Sequence, residues 1–164
     1  MRLRVLQPVQ AAGALLLVLA LSTGCAVLRG ERSVGSVLGA TSGDGPAGVV
    51  IGAAVLTLAD QVEAGGTRRP PDPVLASQLR AVDTSAVFIY GLRYDGCTRA
   101  DPELVAKRKR TVEARTRDLN RACYVAEPVT AYFAVEWDDL ADTFTIGSPN
   151  SASGQTRVQD RRVV

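Results

Sequence analysis

The sequence predicts an α+β fold: a small, partly antiparallel sheet of three to four strands with one long basic helix, preceded by a Gly-rich helical segment. Three observations predict it. Two stretches, 85–94 (SAVFIYGLRY) and 129–137 (VTAYFAVEW), have the β-branched and aromatic composition of strands. Between them, Asp101-Pro102-Glu103 reads as a helix start, with an N-cap acceptor, proline at the first position and an acid in the first turn. Upstream, glycines recur every four residues from Gly35.

The chain opens with Arg2 and Arg4, an uncharged apolar run from Ala11 to Leu21, and the small-residue exit Leu21-Ser22-Thr23-Gly24-Cys25. A charged lead, an apolar middle and a small-residue exit describe a secretory signal, not a fold element. The LSTGC exit resembles the lipobox of bacterial lipoproteins. That resemblance implies a lipid on Cys25 as the first residue after cleavage, the membrane as a partner through that lipid, and a place in the cell envelope. Ser22 stands where the family usually carries a bulky aliphatic residue. Ala26, following the cysteine, implies the outer membrane (periplasmic side) if the host is Gram-negative. The competing reading is an uncleaved anchor, because Ala11 to Leu28 comes to about 18 residues, the lower edge of a membrane span.

Of the 164 residues, cleavage before Cys25 leaves about 140, enough for one small domain. The 19 basic residues fall to 17 when Arg2 and Arg4 leave, matching the 17 acidic ones. No global field then points to nucleic acid. With Cys25 allotted to lipid, Cys97 and Cys123 form an even pair in a compartment that can oxidise them, and a disulfide is expected.

After a short tether, Gly35, Gly39 and Gly43 set a four-residue glycine spacing that Gly48 and Gly52 repeat. On a helix, such positions share one face and let another helix approach closely. The segment resembles the glycine zippers of bacterial envelope lipoproteins, which implies self-association or insertion into the bilayer. Ser42-Gly43-Asp44-Gly45-Pro46 is a turn signal that splits the region, so a flexible leader followed by one buried helix over 47–62 is the other reading. Residues 64–73 (AGGTRRPPDP) predict a linker and a domain boundary. The domain is expected over 74–147, and the polar stretch 148–164 is expected to be disordered.

Within the domain, residues 73–82 suit a short helix with Val74, Leu75 and Leu79 inward. Residues 85–94 read as a central strand, apolar on both sides. The helix expected from 102 to 120 gathers Lys107, Arg110, Arg117 and Arg121 opposite a thin apolar stripe, a possible face for an anionic partner. A helix of that length is roughly 28 Å long, while its flanks together span about 27 Å. The helix and the Cys97–Cys123 bridge therefore cannot both hold in their simplest forms. Beyond them, residues 129–146 predict a hairpin.

There is no histidine. That removes the side chain best suited to proton transfer near neutral pH and the commonest metal ligand. Glu136, Asp138, Asp139 and Asp142 form an acidic knot beside Trp137, without the spacing of a calcium loop. No catalytic residue, metal site or cofactor is expected. The sequence reads as a lipid-anchored cell-envelope protein with a structural or interaction role, its partner an envelope protein or a second copy.

Overall fold

The structure, a computed structural model, describes residues 30–123, 127–148 and 155–164. Cys25 and the signal lie outside the described residues. Strands β1 (Glu31–Ser33), β2 (Ser36–Ser42) and β3 (Gly48–Val50) come first, followed by helices α1 (Ala54–Ala64) and α2 (Pro73–Arg80). Then come β4 (Val87–Asp95), β5 (Arg99–Lys107), β6 (Thr111–Asp118), β7 (Pro128–Glu136), β8 (Thr143–Gly147), β9 (Gln155–Gln159) and β10 (Arg162–Val163). One sheet has the order β2-β7-β4-β3, the other β1-β5-β6-β8-β9-β10. The β6–β8 pair is parallel and the other pairings are antiparallel. Among the described residues no helix is long and apolar enough to cross a membrane.

Alternation along the strands sets three layers. Phe88, Tyr90 and Leu92 of β4 and Ala131, Phe133 and Val135 of β7 face Leu104, Val112, Phe144, Ile146 and Val158 of the other sheet. Their intervening neighbours Ile89 and Tyr132 face the helices, where Val55, Leu58, Val62, Leu75 and Leu79 cover them. The four-stranded sheet is thus buried on both faces, as the doubly apolar β4 sequence requires. Asp72 caps α2 by accepting the Leu75 amide at 2.9 Å, with Pro73 in the first turn. Leu75 and Leu79 point inward as expected, but Val74 is 70% exposed.

The expected α+β fold with one long helix is corrected to a mostly β, two-sheet sandwich carrying two short helices. Residues 101–120 form no helix. They belong to the β5–β6 hairpin, in which Leu104, Ala106, Val112 and Ala114 alternate inward. Asp101-Pro102 is not a helix cap but sits in a break of register between Ala100 and Glu103, with Asp101 at φ 48°. Proline is tolerated at such a bulge because no ladder hydrogen bond is asked of it. The turn has no glycine or asparagine to announce it. Arg108 and Lys109 both take positive φ, 50° and 60°, and the Arg110 amide closes the turn on the Lys107 carbonyl at 3.1 Å. Left-handed backbone penalises residues with a Cβ, and Asn-Gly suits it. Arg108→Asn combined with Lys109→Gly is therefore expected to raise stability by about 1–2 kcal/mol, read as a higher urea midpoint with an unchanged slope.

The Gly-rich helical segment is also corrected. Gly39 lies within β2, Gly48 begins β3, and Gly35, Gly43 and Gly52 lie in connections. Their four-residue spacing therefore marks no common helix face. Gly43 shows what the sequence uses glycine for: at φ 85° its Cα sits against the Arg68 carbonyl, where a Cβ would collide. The Pro/Arg segment is the connection between α1 and α2, not a domain boundary, since β1 to β3 already belong to the two sheets. β7 and β8 do not form the expected hairpin. A 3₁₀ turn at Trp137–Asp139 carries the chain from one sheet to the other. Residues 155–163, expected to be disordered, supply two strands of the larger sheet, with Val158 buried in its core.

Candidate functional site

The hairpin resolves the conflict between helix and disulfide. Folding back at 108–110 returns the chain to its starting end, where Cys97 and Cys123 are bonded with Cα atoms 6.1 Å apart. Local chemistry shapes that end. Asp95 accepts the Cys97 amide at 2.9 Å and the Thr98 hydroxyl at 3.0 Å, and these bonds, the amide first, hold its carboxyl below the usual range. Arg121 Nε donates to the Cys97 carbonyl at 2.6 Å.

The expected basic face does not form. Antiparallel pairing leaves Lys107 and Arg110 at one end of the hairpin and sends Arg117 and Arg121 to the other. Arg117 pairs with Asp101 at 2.7 Å. Lys107 enters a four-charge cluster on the outer face of the six-stranded sheet, 2.5 Å from Glu113 and 3.6 Å from Glu31. Arg115 closes the cluster, 2.9 Å from Glu113 and 3.3 Å from Glu31. The sheet brings these residues together because Glu31 lies opposite Lys107 across β1–β5, and alternation points them all outward. Two acids and two bases balance, so the cluster pins β1 to the sheet and presents no net charge.

The Lys107 ammonium, then Arg115, holds the Glu113 carboxyl below the usual range, and the Arg115 hydrogen bond does the same for Glu31. Depressed folded-state values mean that the stabilisation is present above the unfolded carboxylate pKa and is lost as pH falls through the folded one. The melting temperature is expected to hold between neutral pH and about pH 5, and to fall below the ordinary glutamate pKa of about 4.3. Glu113→Gln should flatten that acid limb in a series of thermal scans. An unchanged limb would count against the cluster as its source.

The acidic knot becomes the rim of a groove of about 300 Å³ at the opposite end of the sandwich. Trp137, Leu140 and Phe144 form its floor, and Asp138 and Asp142 stand exposed at its edge. Asp139 is instead paired with Arg32 at 2.9 Å, and Glu136 ends β7 outside the groove. The sequence reading missed the other wall. Asp160 and Arg161, from the stretch expected to be disordered, form the β9–β10 turn, and the Arg161 guanidinium lies 5.7 Å from the Trp137 ring centre. Valines at 158 and 163 flanking a two-residue polar turn were the signal for this hairpin.

Chemically, the groove offers hydrogen-bond acceptors and one guanidinium around an indole that is itself 7% exposed. Those groups suit contact with donor-rich polar surfaces. The chain matches no protein-family model, no curated protein and no solved structure.

Proposed function

We propose that this chain is a lipid-anchored cell-envelope protein, held through Cys25, whose sandwich has a structural or protein-interaction role and not a catalytic one. The observation that carries the reading is the bonded Cys97–Cys123 pair in a chain whose N-terminal apolar segment ends in LSTGC at residues 21–25. Structural disulfides persist in oxidising compartments beyond the cytosol, which is where a lipobox sends a protein. Only four residues separate Cys25 from Gly30, the first described residue, so the chain between them can span at most about 18 Å. The sandwich would then work close to the membrane surface, on an outer membrane if the host has one. Its partners would be the bilayer through the lipid, and an envelope protein.

Intact mass spectrometry of the membrane-extracted protein tests this. The expected result is a mature N-terminus at an acylated Cys25, with Cys97 and Cys123 unreactive to alkylation until reduced. Cys25→Ser should move the protein out of the membrane fraction. An unprocessed Met1 chain with three free thiols would overturn the reading.

A further inference from the structure

Sheet edges expose rows of unpaired amides and carbonyls, and proteins guard them with short strands, charges, proline or a covering element. Three of the four edges here are short: β1 and β3 have three residues each and β10 has two. β1 also carries Glu31 and Arg32, and β10 carries Arg162. β2 is different. It runs seven residues, Ser36-Val37-Leu38-Gly39-Ala40-Thr41-Ser42, at the edge of the four-stranded sheet, with neither a charge nor a proline.

Its pairing shows which peptide groups face outward. The Gly43 amide donates to Pro128 at 2.7 Å, and the register places Thr41 opposite Thr130. Hydrogen-bonded pairs alternate along an antiparallel ladder. Gly43 and Thr41 therefore bond inward to β7, and the N–H and C=O groups of Ala40 and Ser42 point away from the sheet. Both residues are exposed, and no other described residue hydrogen-bonds their main chains on that side. A register shift between Val37 and Gly39 kinks the strand upstream, so the regular, open portion is 39–42.

We propose that the β2 edge is a pairing surface for a second copy of this chain, joining two four-stranded sheets into one continuous eight-stranded sheet across a two-fold axis. The strand suits itself. Around a two-fold near Thr41, Ala40 of one copy lies opposite Ser42 of the other, and both exchange their free N–H and C=O groups. Their small side chains let the strands close to about 4.8 Å. A strand meeting its own copy meets its own charges, and like charges directly opposite are destabilising. β2 has none. The strand at the edge thus takes the role that the glycine spacing suggested for helices, by backbone pairing instead of close helix packing. Pairing through residues 39–42 is independent of the lipid at Cys25.

Sedimentation velocity on the purified full-length protein over a range of concentrations, in density-matched detergent, provides the test. A reversible monomer–dimer equilibrium is expected. Ala40→Lys, which places two ammonium groups at diagonal positions on either side of the axis, within reach of each other, should weaken the dimer at least tenfold, on the order of 1.4 kcal/mol. Ser42→Lys should do the same, which keeps the test open if one variant folds poorly. Ser33→Lys, on the β1 edge of the other sheet, should leave the dimer intact. In hydrogen exchange, the Ala40 and Ser42 amides should gain protection as concentration rises. A monomer at every concentration would overturn the proposal. So would a dimer equally strong in both β2 variants.

Discussion

Phe88→Ala is expected to destabilise the protein by about 3–5 kcal/mol, the largest effect of any single side chain. Phe88 is fully buried in β4, at the centre of the sandwich. Its ring lies 4.6 Å from Trp137 and 5.7 Å from Phe144, so three aromatic rings from three elements meet at one point. Truncation removes both aromatic contacts and leaves a cavity. The cavity cannot collapse, because β4 is held by nine register pairs to β7 and by the β3 ladder on its other side. Trp137 is the only tryptophan, so its fluorescence reports the same site during urea unfolding. A loss below about 1 kcal/mol would mean that the two sheets do not pack through this cluster. Phe88→Leu, which refills most of the volume, should recover a large part of the loss.

Removing the disulfide should have the second largest effect. Cys97 and Cys123 are 26 positions apart, and closing a loop of that size restricts the unfolded chain by about 3 kcal/mol. For a domain of this length that corresponds to a fall in melting temperature of roughly 10 °C. The double variant Cys97→Ser with Cys123→Ser is the cleaner comparison, because it leaves no lone thiol. Reductant should lower the melting point of the parent protein toward that of the double variant and leave the variant unchanged. Equal melting points for all of these forms would show that the bridge does not constrain the unfolded chain. The β5–β6 hairpin lies inside the closed loop, so its register should be the first feature to loosen on reduction. Loss of amide protection across β5 and β6 would report it.

The β5–β6 hairpin also shows where the sequence misled. Asp101-Pro102-Glu103 has every local mark of a helix start, and 104–120 contains good helix formers. The alternation Leu104, Ala106, Val112, Ala114 is present but interrupted at 108–110 by a turn made of arginine and lysine, residue types that rarely take positive φ. The reversal becomes favourable only when inward residues from both strands bury against β4 and β7 and the flanking cysteines join. The glycines of 35–52 misled for a similar reason. Their four-residue spacing imitates a helix face, whereas each answers a separate local need, such as Gly43 beside the Arg68 carbonyl. The tail was hidden by composition, since β9 contributes one buried residue, Val158, to the core.

By itself, the sequence determined what depends on neighbouring residues and on cysteine arithmetic. β4 has apolar residues on both sides and is central. Asp72-Pro73 starts α2 because a side-chain acceptor and a preset φ act within one turn. Cys97 and Cys123 are the even pair. Tertiary structure alone decided between helix and hairpin over 101–120, assigned β7 and β8 to different sheets, recruited 155–163, and left β2 at an open edge. Strand pairing is non-local. Its hydrogen bonds and buried contacts form only after distant segments meet, and no window of neighbouring residues carries the partner's identity.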